Sequence, residues 1–239
     1  SAASDVYKRQ ESEAAMSNLR DAIVRMALRR PYLYLLVTLV ISIVLMEVLV
    51  EIAEHTFIKP ALQQLELQFI AYVQQFVTPP LTAEVMLVTA SGSSTFYLLA
   101  SALVCCWYLY SRQKDRLYLY LVCLCGGGIL NQVLKRIFER VRPDIFPVIA
   151  ESGYSFPSGH AMGAICFYGI LAYFAGLGLR SKPLRWGLMA AAGIYILLIG
   201  LSRVYLGVHY PTDILAGYAA GATWLFFCIT LHRIFRKRY

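Results

Sequence analysis

The sequence predicts an all-α integral membrane protein of six transmembrane helices, with both termini cytoplasmic and a short amphipathic helical segment between spans one and two. Three observations predict it. Of the 239 residues 59% are hydrophobic and the mean hydropathy is +0.58, against roughly 45–50% apolar in an ordinary soluble domain. The excess is gathered into blocks of about 20 residues, the length an α-helix needs to cross hydrocarbon. The basic residues cluster at the ends of alternate blocks, as the orientation of a multi-span protein requires. The formal charge of +8 therefore reads as membrane orientation. With no nucleic-acid-reading motif in the chain, a nucleic-acid partner is not expected.

Residues 1–15, SAASDVYKRQESEAA, are polar and read as non-native or disordered, with Met16 a candidate native start. From Leu19, apolar residues recur at Ile23 and Met26 among arginines, so 16–30 is expected to be an amphipathic cytoplasmic segment. The six-span domain is 31–232. Its first span, about 31–50, lacks a small-residue cleavage site after a short apolar core and reads as an uncleaved span. The others are expected near 88–110, 117–138, 160–179, 185–203 and 212–232, and 233–239 is a basic cytoplasmic tail. Between spans one and two, residues 51–84 carry Glu51, Glu54, Lys59, Glu66, Glu84 and the breakers Pro79 and Pro80. Within them LQQLELQFIAYVQQFV mixes apolar and polar residues at helical spacing, which predicts a surface helix able to shape an entrance for lipid.

Arg20, Arg25, Arg29 and Arg30, the connections SRQKDR and RSKPLR, and the tail HRIFRKRY fall on one side of a six-span chain. The positive-inside rule makes that side cytoplasmic. The six cysteines lie in apolar blocks and read as buried small hydrophobes; Cys123 and Cys125 have the wrong spacing for a zinc knuckle. Gly217 and Gly221 form a GxxxG suited to close helix packing.

Three charged clusters fall on the outer side, where orientation does not explain them. In KRIFERVRP, Lys135 and Arg142 are two helical turns apart, so a helix running to Arg142 puts them on one face about 10 Å apart along the axis. The plainer reading is a basic helix end. In YSFPSGHAMGA, Ser158 is either a helix N-cap or an anion ligand, Gly159 opens the helix, and His160 falls in its first turn, where unpaired N–H groups attract anions. In SRVYLGVHYPTD, Arg203 ends one span and Asp213 starts the next. Asp213 either caps that helix or reaches back to the ring of His209, fixing its tautomer and sharpening its other nitrogen as a nucleophile. Cations, a nucleophile and an acid suit phosphoryl transfer. No carboxylate cluster is present to hold magnesium.

Together K-x6-RP, PSGH and SR-x5-H-x3-D, in this order, resemble the type 2 phosphatidic acid phosphatase superfamily over about residues 31–232. The resemblance implies that His209 attacks phosphorus to form a phosphohistidine, that Asp213 holds His209, and that His160 protonates the leaving oxygen. Lys135, Arg142, Ser158, Gly159 and Arg203 would bind the phosphate, with no metal and no cofactor. It implies a bacterial cytoplasmic membrane protein whose outward-facing site hydrolyses undecaprenyl pyrophosphate, phosphatidylglycerophosphate or phosphatidic acid. A phosphotransferase using the same phosphohistidine, and a non-catalytic lipid-phosphate transporter or sensor, are the competing expectations. The partners expected are the lipid phosphate and the surrounding membrane lipids.

Overall fold

The computed structural model describes residues 31–58, 60–145 and 147–236. The segments read as 1–15 and 16–30, and the last three residues of the tail, lie outside the described residues. Among the described residues all regular structure is helical. In chain order come α1 (Pro31–Ile58), α2 (Pro60–Gln74), α3 (Pro79–Ala90), α4 (Ser94–Tyr110) and α5 (Lys114–Phe138). Then follow α6 (Gly159–Ala164), a π turn over Ile165–Gly169, α7 (Ile170–Gly178), α8 (Lys182–Tyr205) and α9 (Pro211–Arg236).

Five stretches are long and apolar enough to cross a membrane: Leu36–Thr56, Lys114–Phe138, Gly159–Gly178, Lys182–Tyr205 and Pro211–Ile234. The pair α3 and α4, bent by 50°, makes a sixth when counted as one broken span. This span starts earlier than the expected 88. Pro79 and Pro80 sit at its first helical positions, where a missing N–H removes no bond. Ser93 restarts it after the bend by accepting from Phe96 N at 3.1 Å.

Large apolar side chains remain uncovered on the outer faces, among them Leu36 at 55% exposure, Leu103 at 75%, Ile129 at 66% and Ile194 at 60%. In water such a surface would drive association; in lipid it is the ordinary exterior of a bundle. The protein is a multi-pass membrane protein. Its central helix is α9, packed along α1 and against α5 and α6. Gly217 permits the last contact: a Cβ there would lie 2.7 Å from Ser158 O and 3.0 Å from Ala161 Cβ. Cys123, Cys166 and Cys228 are buried in the core with Tyr120, Phe167 and Ile170. Cys106 and Cys125 correct the expectation of buried thiols, because they fall on exposed helix faces.

A second correction concerns the helix expected to run on past the third span. The span ends at Phe138, as expected, but the helix does not continue to Arg142, because Glu139 takes a left-handed backbone with φ 47°. Ser155 N and Oγ capture the Arg140 carbonyl at 2.8 and 3.2 Å, drawing the chain out of the helix. Lys135 is thus on the last turn of α5 and Arg142 on the loop after it, so the two do not share a helical face.

Candidate active site

The 139–158 loop, the start of α6 and the 206–210 connection meet at one end of the bundle, tied by Val148 N donating to Leu206 O at 3.0 Å. Helix α2 joins them through Gln74 Nε2, which donates to Ile145 O at 3.0 Å. The end of α8 explains how His209 is placed. Gly207, at φ 72°, donates to Val204 O at 3.0 Å, and Val208 donates to Arg203 O at 3.2 Å, a Schellman turn. Glycine takes that backbone without the penalty a Cβ would bring. The reversal carries His209 back toward Arg203, and Pro211 then opens α9 with Asp213 in its first turn.

His209 and Asp213 are both buried, at 1% and 0% exposure. His209 Nδ1 donates to Asp213 Oδ2 at 3.2 Å, and Arg142 Nη1 donates to His209 Nε2 at 3.2 Å. An ionised carboxylate only accepts and a guanidinium only donates, so the two neighbours assign the ring proton to Nδ1 and leave Nε2 a free base. Burial pushes the His209 imidazole below its ordinary value, against the bond and charge of Asp213, which pull the other way. The ring is therefore neutral near pH 7. Asp213 Oδ2 also accepts from Tyr210 N at 3.0 Å, while Oδ1 accepts from Arg140 Nη1 at 2.6 Å.

The predicted cations surround this pair. Arg203 is buried; its Nη1 donates to Thr89 Oγ1 at 2.6 Å, and among the described residues its Nε has no hydrogen-bond partner. Lys135 Nζ donates to Tyr154 O at 2.6 Å, and Arg142 Nη1 donates to Val208 O at 2.9 Å. Glu151, which the sequence reading passed over, stands where the cations converge. Its Oε2 is 2.9 Å from Arg142 Nη1, 2.5 Å from Arg203 Nη2 and 4.0 Å from His209 Nε2. Burial alone would raise its carboxyl, but Arg203 and Arg142, with His209 and His160, together hold it below its ordinary value. An anion already occupies the position between the two guanidinium groups.

Ser158 takes the capping role of its two sequence readings: its Oγ accepts from Ala161 N at 3.4 Å, and its N–H donates to Asp213 O at 2.9 Å. Asn131 Nδ2 donates to Pro157 O at 3.2 Å and braces the same turn. Gly159 and His160 line one cavity of about 790 Å³ together with Lys135, Arg142, Glu151 and His209. The cavity continues between α4 and α5 past Tyr97, Leu98, Ala102, Leu121 and Leu124. It is charged at one end and mainly apolar along its length. Among the described residues no group of three or more His, Cys, Asp or Glu side chains is placed to hold a metal ion.

The local spacing of the sequence hid two more residues. Arg140 lies inside KRIFERVRP, between the two basic residues singled out there, and Glu66 lies on the buried face of α2. Their signal was faint: one charge among several in a basic stretch, and one carboxylate in an amphipathic segment.

The PAP2 superfamily matches residues 116–237. The phosphatidylglycerophosphatase B of Bacillus subtilis is 40% identical over 156 residues, 64% of this chain and 76% of that protein. An undecaprenyl-diphosphatase of Sulfolobus acidocaldarius is 33% identical over 111 residues, 45% of this chain and 48% of that protein. The crystal structure of a transmembrane PAP2-type phosphatidylglycerolphosphate phosphatase from Bacillus subtilis is similar at a TM-score of 0.74 and 31% identity. The match covers 82% of this chain and 96% of that one.

Proposed function

This chain belongs to the PAP2 superfamily, and from that premise we propose that it removes phosphate from a membrane lipid through a phosphohistidine at His209. It is a lipid phosphate hydrolase; the route, the face of the membrane and the preferred lipid are the proposal. His209 Nε2 attacks phosphorus, the new N–P bond forms, and the P–O bond to the lipid breaks. His160 gives its proton to the departing oxygen. A water molecule then attacks phosphorus, passes its proton to His160 and releases inorganic phosphate, restoring His209. Lys135, Arg142 and Arg203, with the backbone at Gly159 and the turn held by Ser158, offset the charge that grows on the phosphoryl oxygens. Arginine suits this role because its planar fork matches phosphate geometry.

The observation that carries the reading is the single cavity. One end holds His209, with Nε2 unprotonated and Asp213 behind it, and His160 on the opposite segment. The rest runs between two membrane helices, where a lipid tail can stay in the bilayer while its phosphate reaches the charges. The anionic Glu151 between Arg142 and Arg203 supports an anion seat there.

Basic connections at one end of the bundle and the Glu-bearing 51–84 segment at the other favour a site facing out of the cytoplasm, with both termini inside. A cytoplasmic membrane of a bacterium fits that orientation. The relatives act on lipids as different as a glycerophosphate and a polyprenyl diphosphate. The candidates are therefore undecaprenyl pyrophosphate, phosphatidylglycerophosphate and phosphatidic acid. Purified protein in detergent, tested against this panel by phosphate release and by trapping of labelled phosphate after an alkaline quench, which the N–P bond of a phosphohistidine survives, decides the question. Turnover with label on the wild type and none on His209→Ala is expected. Label retained on His209→Ala moves the nucleophile elsewhere, and binding without release returns the transporter reading.

A further inference from the structure

Behind the His209–Asp213 pair stand two more ionised groups that the mechanism above does not use. Arg140 is 7% exposed, and its Nη1 donates to Asp213 Oδ1 at 2.6 Å and to Thr212 Oγ1 at 2.8 Å. Its Nη2 donates to Glu66 Oε2 at 2.6 Å, and the guanidinium lies 3.8 Å over the Tyr210 ring. Glu66 is 4% exposed on the buried face of α2, one turn before the fully buried Ile70. Its second oxygen is also used: Oε1 accepts from Thr212 N at 2.9 Å and from Thr212 Oγ1 at 2.6 Å. Glu66, Arg140, Asp213 and His209 thus form one row in which acidic and basic side chains alternate.

Burying four such groups is costly unless each is paired, and here each is. The arrangement also answers a chemical problem. Arg140 fixes the rotamer of Asp213 by taking Oδ1, leaving Oδ2 for His209, but its positive charge opposes positive charge on the imidazole. When Nε2 bonds to phosphorus with a proton on Nδ1, the ring becomes cationic. Glu66 cancels the charge of Arg140 and so lets Asp213 act on the ring at full strength.

We propose that Glu66 and Arg140 are positioning residues for catalysis, holding Asp213 against His209 and tuning the charge that the phosphohistidine ring meets. The inference rests on the phosphohistidine reading above. Neither residue reaches the substrate, so their replacement should alter kcat and leave KM nearly unchanged. Glu66→Gln removes one charge a short distance from the ring through a poorly screening interior, an effect of about tenfold on kcat. Arg140→Lys loses the two-pronged donor that joins both carboxylates and should cost more, because a lysine presents a point charge in its place.

The sign of the pH effect separates tuning from simple loosening. With Glu66 neutral, the uncompensated Arg140 makes protonation of His209 harder, so the acid limb of kcat/KM should move to lower pH. The test uses the full chain in detergent with a lipid phosphate, measuring kcat, KM, the pH profile and labelled phosphoenzyme for wild type, Glu66→Gln and Glu66→Asp. The expected result is a kcat loss for Glu66→Gln with an acid limb at lower pH, and a limb near wild type for Glu66→Asp, which keeps the charge. Wild-type kcat with an unmoved limb in Glu66→Gln overturns the proposal, as does a loss confined to KM. Should Glu66→Gln not fold, Glu66→Asp decides by the same division: a kcat loss supports the proposal, and an effect on KM alone overturns it. Absence of phosphoenzyme on wild type fails the underlying reading instead, a separate outcome.

Discussion

Replacing Asp213 by asparagine changes one atom and one charge at a fully buried position. The carboxylate has two distinct ends: Oδ1 accepts from Arg140 Nη1 at 2.6 Å, and Oδ2 accepts from Tyr210 N at 3.0 Å and from His209 Nδ1 at 3.2 Å. An asparagine must present its NH2 to one of these ends, and both are already faced by donors. The charged donor holds the oxygen more strongly, so the NH2 falls opposite Tyr210 N and His209. His209 Nδ1 must then accept, and the ring proton moves to Nε2, the atom meant to attack phosphorus. Kinetically this is the wrong-tautomer defect, worth roughly 10⁴-fold in kcat where the aspartate of a Ser-His-Asp triad is changed the same way. That corresponds to about 5 kcal/mol of transition-state stabilisation. The unsatisfied Tyr210 N–H costs a further 1–3 kcal/mol or so of stability, too little by itself to account for such a rate loss. The assay is single-turnover phosphate release beside labelled-phosphate trapping, with thermal unfolding to check that the variant is folded. A folded Asp213→Asn protein within tenfold of wild-type kcat would refute the assignment of Nδ1 as donor and Nε2 as nucleophile.

Other outcomes follow from the same geometry. The pH dependence of kcat/KM should be bell-shaped, with an optimum near neutral or mildly acidic pH. Its acid limb reports the protonation of His209, which burial holds below the ordinary imidazole value, so activity should persist to lower pH than a free imidazole allows and then fall; a flat profile from about pH 4 to 9 would count against two-histidine catalysis. Phosphate release should continue in EDTA and be inhibited by vanadate, which imitates five-coordinate phosphorus; activity lost to the chelator and restored by magnesium would contradict the cation-only site. Gly207→Ala places a Cβ on a residue at φ 72°, within 2.5 Å of Gln74 Nε2 and 3.3 Å of Pro147 Cα. It should destabilise by about 1–2 kcal/mol or more, read as a lower unfolding midpoint with reduced activity.

The membrane spans were legible because an apolar block of span length has few other solutions in water or lipid. The order of charged clusters was legible for a related reason: charge at the span ends opposite the basic connections has no role in orientation. His160, His209, Lys135 and Arg142 accordingly line one cavity, and Arg203 stands behind it on Glu151. What local spacing did not carry was geometry set by partners distant in sequence. Ser155 draws Arg140 out of the helix that the basic stretch appeared to continue, and nothing in KRIFERVRP itself announces Ser155. Glu66 meets Arg140 across 74 positions and Thr212 across 146. In sequence it is one polar residue among the glutamines of an amphipathic segment. Glu151 is similar: only the fold brings its carboxylate between Arg142 and Arg203.

The family match begins at residue 116, yet Glu66 stands well before that point and its carboxylate is three links removed from the His209 imidazole. Anyone splicing the C-terminal half onto a foreign N-terminal hairpin would carry over every signature motif and still leave Arg140 facing an empty socket. Such chimeras should fold and bind lipid while turning over slowly, and transplanting α2 along with its acid should bring the speed back.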